Sequence, residues 1–309
     1  MTTQERIVEV MGTTAHVIVT NGAPGLADRA VARLEELEAR WSRFLPDSEI
    51  SRLNEMPGVP VLVSPETYQL VERALEGWRL TAGRFDPTLL RELRAAGYDR
   101  SFELIAAGDA PNEHMVAAMA APSRAADMKL DPSVGTVLLP PGAELDPGGI
   151  GKGLAADLVV ALVLAGGAHG ALVSVGGDLR VEGASPEGEG WIVAIADPMH
   201  GDRNIGTVAL DAGAVASTWR TKRTWTAADG TRRHHLIDPA TGLPAASGLA
   251  GVTVVTGQGW HAEVLAKAAF LAGPDDGAAL LAANNAAGLL ITHDGSIREA
   301  GAWAQYSVT

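Results

Sequence analysis

The sequence predicts an α+β fold in which mixed, largely antiparallel sheets pack with helices, and three observations predict it. Helix-like and strand-like segments are interleaved without the regular strand–helix alternation of a doubly wound sheet. Asp-Gly pairs at 229–230 and 294–295 stand between short β-prone runs, the pattern of tight hairpins. Of 309 residues, 47% are hydrophobic and 20% charged, a balance that can bury a sizeable core. No internal repeat and no long linker interrupts the chain, so residues 1–309 are expected to form a single domain.

The elements follow in order. β-Branched residues dominate residues 8–20, predicting a strand or hairpin. Residues 28–44 read as an amphipathic helix, with Val31, Leu34, Leu37 and Trp41 on one face. A second helix starts at Ser64 as N-cap with Pro65 in the first helical position. It buries Leu70, Val71, Ala74, Leu75 and Trp78, and Gly83 ends it. The Ala-rich stretch 106–126 has no clear period. Beyond Lys129 short β-like runs alternate with glycine: strands are expected at 172–175, 191–196, 206–210 and 252–255. Residues 223–227 and 233–237 should pair as a hairpin, as should 289–292 and 297–299. A helix is expected over residues 262–271.

Charge and composition exclude several functions. There are 24 Lys plus Arg against 37 Asp plus Glu, a net charge of −13, which repels phosphate backbones and anionic lipid; no nucleic-acid partner is expected. The absence of cysteine removes disulfides, thiolate nucleophiles and thiolate-bound metals. The eight histidines never show the H-x-x-x-H spacing of a helical zinc site. No apolar run reaches transmembrane length. The opening residues MTTQERIVEVMGTTAHVIV carry no secretory pattern, so the expected location is the cytoplasm.

Five segments can carry chemistry. In LDPGGIGKGLAAD, residues 145–157, four glycines within six residues open a helix, and Lys152 adds a charge beside them. Backbone N–H groups and a helix N-terminus there can hold a phosphate, or the glycines can serve only a tight loop. Gly151, Gly153 and Ala156 match G-x-G-x-x-A, but no buried strand precedes them, which opposes a Rossmann unit and a NAD-type dehydrogenase. In HHLIDPATG, residues 234–242, strand alternation places His235, Ile237 and Pro239 on one face and Leu236 and Asp238 on the other. A histidine there can act as a general base or sit in water. GRFDPT at 83–88 offers a ring beside a carboxylate and a hydroxyl, or a plain helix cap. SVGGD at 174–178 ends a strand in paired glycines, allowing close approach of a ligand or another backbone. Glu263 and Lys267, four apart on a helix, have the spacing of an ion pair.

Taken in order, MGT at 11–13, SRF at 42–44, DSEISRLN at 47–54, GRFDPT, LDPGGIGKGLAAD, SVGGD, HLIDPATGLP at 235–244 and AEVLAKAAF at 262–270 resemble the ApbE family from Met11 to about Gly273. The resemblance implies an ApbE-like, T-fold-type architecture. It also implies FAD:protein FMN transfer: the FAD diphosphate is cleaved, FMN passes to a Thr or Ser hydroxyl of an acceptor flavoprotein, and AMP leaves. Alternatives are an FAD pyrophosphatase giving FMN and AMP, or a non-catalytic FAD-binding protein.

By matching positions, Met11, Phe44, Phe85, Asp86, Asp146, Lys152 and Leu236 would line the FAD site, and His235 would act as the base for the acceptor hydroxyl. Mg²⁺ would take the Gly149 carbonyl and a carboxylate at Glu263. The family helix usually reads A-D-A-L-A-T-A, whose Asp and Thr bind the metal, whereas this chain has Glu263 and Lys267. An ammonium cannot ligate a metal. Either Mg²⁺ still binds with Lys267 turned away, or Lys267 takes the place of the cation as part of the catalytic machinery, paired with Glu263 and the diphosphate.

Overall fold

The computed structural model describes residues 2–106, 123–188, 190–227 and 230–308. Most of the Ala-rich stretch, and Asp229 of the first hairpin turn, lie outside the described residues. The chain divides into two compact units: Met1–Glu38, Ile150–Trp219 and Gly248–Thr309 form the first, and Ala39–Gly149 with Arg220–Ser247 the second.

The first unit is built on an eight-stranded sheet. Its order is Thr3–Val10, Thr13–Thr20, Gly170–Val175, Asp178–Gly183, Ala212–Trp219, Leu249–Thr256, Ala287–Thr292 and Ile297–Ala300, and every neighbouring pair is antiparallel. Antiparallel pairing needs only short turns. Met11-Gly12 (φ 55° and 63°) and Gly176-Gly177 (φ 64° and 97°) each form a two-residue turn with both φ values positive, the geometry that matches strand twist. The paired glycines of SVGGD therefore serve a hairpin, and the strand that follows them, Asp178–Gly183, lacks the apolar run by which strands were expected.

All eight residues of Leu249–Thr256 are buried, so both faces of the sheet are covered there. The helices Gly151–Ala165 and Gly259–Ala272 pack against the central strands. Ala214, Ala216 and Ala262 cluster where the Gly259–Ala272 helix meets the sheet, small side chains that let the two approach. A second cluster joins Leu179, Val181, Val215 and Ile291 of the large sheet to Trp191, Val208 and Leu210 of a three-stranded sheet. The Ser217 and Thr253 hydroxyls, opposite each other in register, lie 2.8 Å apart.

The second unit is poorer in regular structure. The Pro65–Leu80 helix begins as expected, with Ser64 Oγ accepting from Thr67 N. Glu49–Glu55 is a short helix capped the same way by Ser48, which accepts from Ser51 N. Leu93, Ala96, Tyr98 and Ile237 form a small core with Trp225 packed against it. The helix expected over 28–44 runs Leu26–Trp41, and its last residues belong to this unit.

Candidate functional site

In the first unit the polar cluster sits where two helices hold each other's N-termini. The Gly151–Ala165 helix and the Gly259–Ala272 helix both start without a side-chain hydrogen bond from their own N-cap residues. Orphan N–H groups in a helical first turn need partners. Asp157 of the first helix supplies them to the second, with Oδ1 accepting from Gly259 N at 2.7 Å and Oδ2 from Trp260 N at 3.0 Å. Glu263 of the second returns the favour, its Oε2 accepting from Gly153 N at 2.8 Å. The exchange requires backbone contact between the helices: a Cβ on Gly153 would lie 2.2 Å from Gly259 O, and one on Gly259 2.4 Å from Gly153 O. Gly153, a candidate phosphate-cradle glycine in the sequence, is thus fixed by helix crossing, and its N–H goes to a carboxylate.

Lys152 joins this clasp to the sheet. Its ammonium pairs with Asp178 and lies 3.3 Å from Glu263 Oε1. Asp178 is buried, and its Oδ1 accepts from Ser217 N at 3.1 Å. Burial pushes the Asp157 carboxyl up to about 6; its N–H donors and Arg180, 3.5 Å away, oppose that rise, while the nearby charge of Glu263 adds to it. Lys267 is half-buried one helical turn beyond Glu263. Met11 occupies the first hairpin tip in a left-handed conformation that non-glycine residues rarely adopt.

In the second unit Phe44 and Asp146, two of the expected residues, lie beside Arg43. The Arg43 guanidinium lies 4.2 Å from the Phe44 ring centre and 4.8 Å from that of Tyr98, and its Nε is 3.2 Å from Asp146 Oδ1. Phe44 is 40% exposed, whereas Phe85 is 1% exposed and belongs to the core. Asn54 brackets the residue before Asp146, accepting from Leu145 N at 2.7 Å and donating to Leu145 O at 3.0 Å. Asp86 Oδ1 accepts from Thr88 N and Thr88 Oγ1, while the buried Oδ2 has no hydrogen-bond donor among the described residues. A cavity of about 260 Å³ is lined by Arg43, Phe44, Ser51, Asn54, Arg94 and Glu144 among others. Gly149 ends the stretch of this unit that carries Asp146.

The histidine pair departs from strand alternation. Arg232–His234 pairs with Thr224–Thr226, but the strand stops at His234. His234 is buried; Nε2 lies 3.1 Å from Ala245 O, and Nδ1 accepts from Leu236 N. That local bond turns the chain, so the neighbours Leu236 and Ile237 are both buried rather than facing opposite sides. The Leu236 carbonyl accepts from Ala245 N, committing its backbone to the fold. His235 is half-buried, with Nδ1 3.4 Å from Arg223 O. Sequence reasoning assigned no role to Arg43, Tyr98, Asp157 or Asp178. Arg43 adjoins Phe44 in SRF, Asp157 closes LDPGGIGKGLAAD and Asp178 closes SVGGD, so these three lie inside the sequence motifs, whereas Tyr98 has no local signal.

Comparison with known proteins gives one answer. The sequence model of the ApbE family matches residues 11–290. The chain is 31% identical to the FAD:protein FMN transferase of Treponema pallidum over 88% of this chain and 79% of that protein. It is 28% identical to the FAD:protein FMN transferase of Vibrio cholerae, over 92% and 86%. The crystal structure of an ApbE protein from Thermotoga maritima superposes with a TM-score of 0.88 at 26% identity, covering 100% of both chains. The fold is shared as well with the flavin transferase ApbE from Vibrio cholerae, TM-score 0.82 at 24% identity over 99% of both chains. The chain belongs to the ApbE family.

Proposed function

We infer that this chain is an FAD:protein FMN transferase, carrying FMN from FAD to a Thr or Ser hydroxyl of an acceptor flavoprotein and releasing AMP. The observation that carries the reading is its 31% identity, over 88% of the chain, to a protein of that name. In the reaction the acceptor oxygen attacks the FMN-side phosphorus, and the P–O–P bond breaks. AMP departs with the bridging oxygen, and the hydroxyl proton goes to a base. Such chemistry asks the protein mainly for positioning and for charge to match the phosphate oxygens.

The side chains supply these parts separately. His235 is the base, its imidazole nitrogen taking the hydroxyl proton. Phe44, the exposed ring of the two phenylalanines assigned to FAD, offers a stacking face, and Asp86 Oδ2 offers an acceptor for a flavin N–H or hydroxyl. Phe85, being buried, acts by holding Asp86 in place. Asp146 is oriented by Arg43 and Asn54, and Met11 is presented at a hairpin tip. Glu263 is a poor holder of Mg²⁺: among the described residues its Oε1 is the one oxygen of the two carboxylates beside Lys152 without a hydrogen bond, and it already faces that ammonium.

Incubation with FAD and an acceptor protein bearing a flavinylation site tests the reading. A gain of one FMN in acceptor mass with equimolar AMP is expected. AMP without a mass gain would show a pyrophosphatase, and tight FAD binding with neither product would show a carrier; either overturns transfer.

A further inference from the structure

The carboxylates around Lys152 have their oxygens almost fully committed. Asp178 spends Oδ1 on Ser217 N and Oδ2 on Lys152. Glu263 spends Oε2 on Gly153 N, and Oε1 faces the Lys152 ammonium at 3.3 Å. A divalent cation such as Mg²⁺ demands near-octahedral oxygen donors close around it. To gather two protein oxygens here it would have to evict Lys152 from Asp178 or Glu263 from the helix N-terminus. Among the described residues no group of three His, Asp or Glu side chains offers another set. The residue one turn beyond Glu263, on the same helical face, is Lys267, whose ammonium has three donors and no lone pair.

We propose that lysine takes the part of the divalent cation in this chain: Lys152, held between Asp178 and Glu263, and Lys267, one turn beyond Glu263, supply the positive charge that meets the FAD diphosphate. The proposal rests on the FAD reading above and deepens it. It differs from a simple exchange at position 267, because the ammonium seated in the carboxylate pair is that of Lys152. Asp178 and Glu263 then serve as positioning residues that aim an ammonium, not as metal ligands.

Two measurements on the metal-stripped full chain test it. The first adds Mg²⁺ alone and follows thermal unfolding: the wild type should shift by less than about 1 °C. The double variant Lys152→Met with Lys267→Thr, which releases both carboxylates from the ammonium and adds a hydroxyl oxygen, should rise by at least about 2 °C. The second titrates FAD with chelator or with Mg²⁺, and the wild-type affinity should agree within about twofold. Stabilisation of the wild type by Mg²⁺, or FAD binding tightened more than about tenfold by Mg²⁺, overturns the proposal. The first arm does not involve FAD, so it judges the lysine proposal by itself. Failure of FAD to bind under both conditions would instead overturn the transferase reading.

Discussion

The two units hold charge by different means. In the first, Asp157, Asp178 and Glu263 are sunk in the layer of sheet and helix, and each is tied to backbone N–H groups: Gly259 and Trp260, Ser217, and Gly153. In the second, arginines are held against aromatic rings. Arg43 lies over Phe44 and Tyr98, and Arg223 Nη1 donates to Tyr98 Oη at 2.6 Å. Carboxylates bound to main chain are part of the fold, because moving them strands N–H groups in the interior. Guanidinium groups on ring faces keep their donors available for carboxylates and ligands. Changes in the first unit should therefore be felt as stability, and changes around Phe44 as ligand affinity.

The largest expected effect is at the helix crossing. Gly153→Ala places a methyl 2.2 Å from a main-chain carbonyl that no rotamer can relieve. It should cost more than about 3 kcal/mol in urea unfolding, or prevent folding. At the other end of the same glycine run, Gly148→Ala meets only the Asp146 side chain at 3.2 Å and should cost less than about 1 kcal/mol. Equal costs would erase the distinction between the packed and the open glycine. Next comes the pair of phenylalanines in the second unit. Phe85→Ala should lose about 3–5 kcal/mol. Phe44→Ala should lose under about 1 kcal/mol of stability yet weaken FAD binding roughly tenfold. A normal FAD affinity in the Phe44 variant would remove that ring from the site.

Asp157 gives a smaller effect with a definite sign. Its carboxyl is raised from 3.8 to about 6, so the native state holds the proton more tightly than the unfolded chain does. The stability this contributes is complete below pH 3.8 and is lost as pH rises through about 6. Asp157→Asn does not titrate. Its unfolding free energy relative to wild type should therefore improve by up to about 3 kcal/mol across that window. A difference that stays flat with pH would contradict the burial of a charged carboxylate at the clasp.

Much of this was legible in the sequence because it depends on local chemistry. The Ser64 cap, Pro65, and the hairpin of Ala287–Thr292 with Ile297–Ala300 around Asp294-Gly295 are set by neighbours in the chain. The α+β class followed from the same signals. The helix clasp was not legible, since Gly153, Asp157, Gly259 and Glu263 meet across more than a hundred residues. Gly153 looks the same in sequence whether it cradles phosphate or admits another backbone. Alternation failed at His234 for a related reason: a side chain that bonds the backbone two residues on overrides the strand period. Phe85 and Phe44 likewise carry no local mark separating a core ring from an exposed one.

If the chain moves FMN to protein with His235 as the base, His235→Ala removes the proton acceptor and leaves the FAD pocket in place. Transfer of FMN to an acceptor, read as intact mass against time, should fall by at least about a hundredfold, while FAD affinity stays at the wild-type value. Transfer at the wild-type rate in that variant would remove His235 from the reaction.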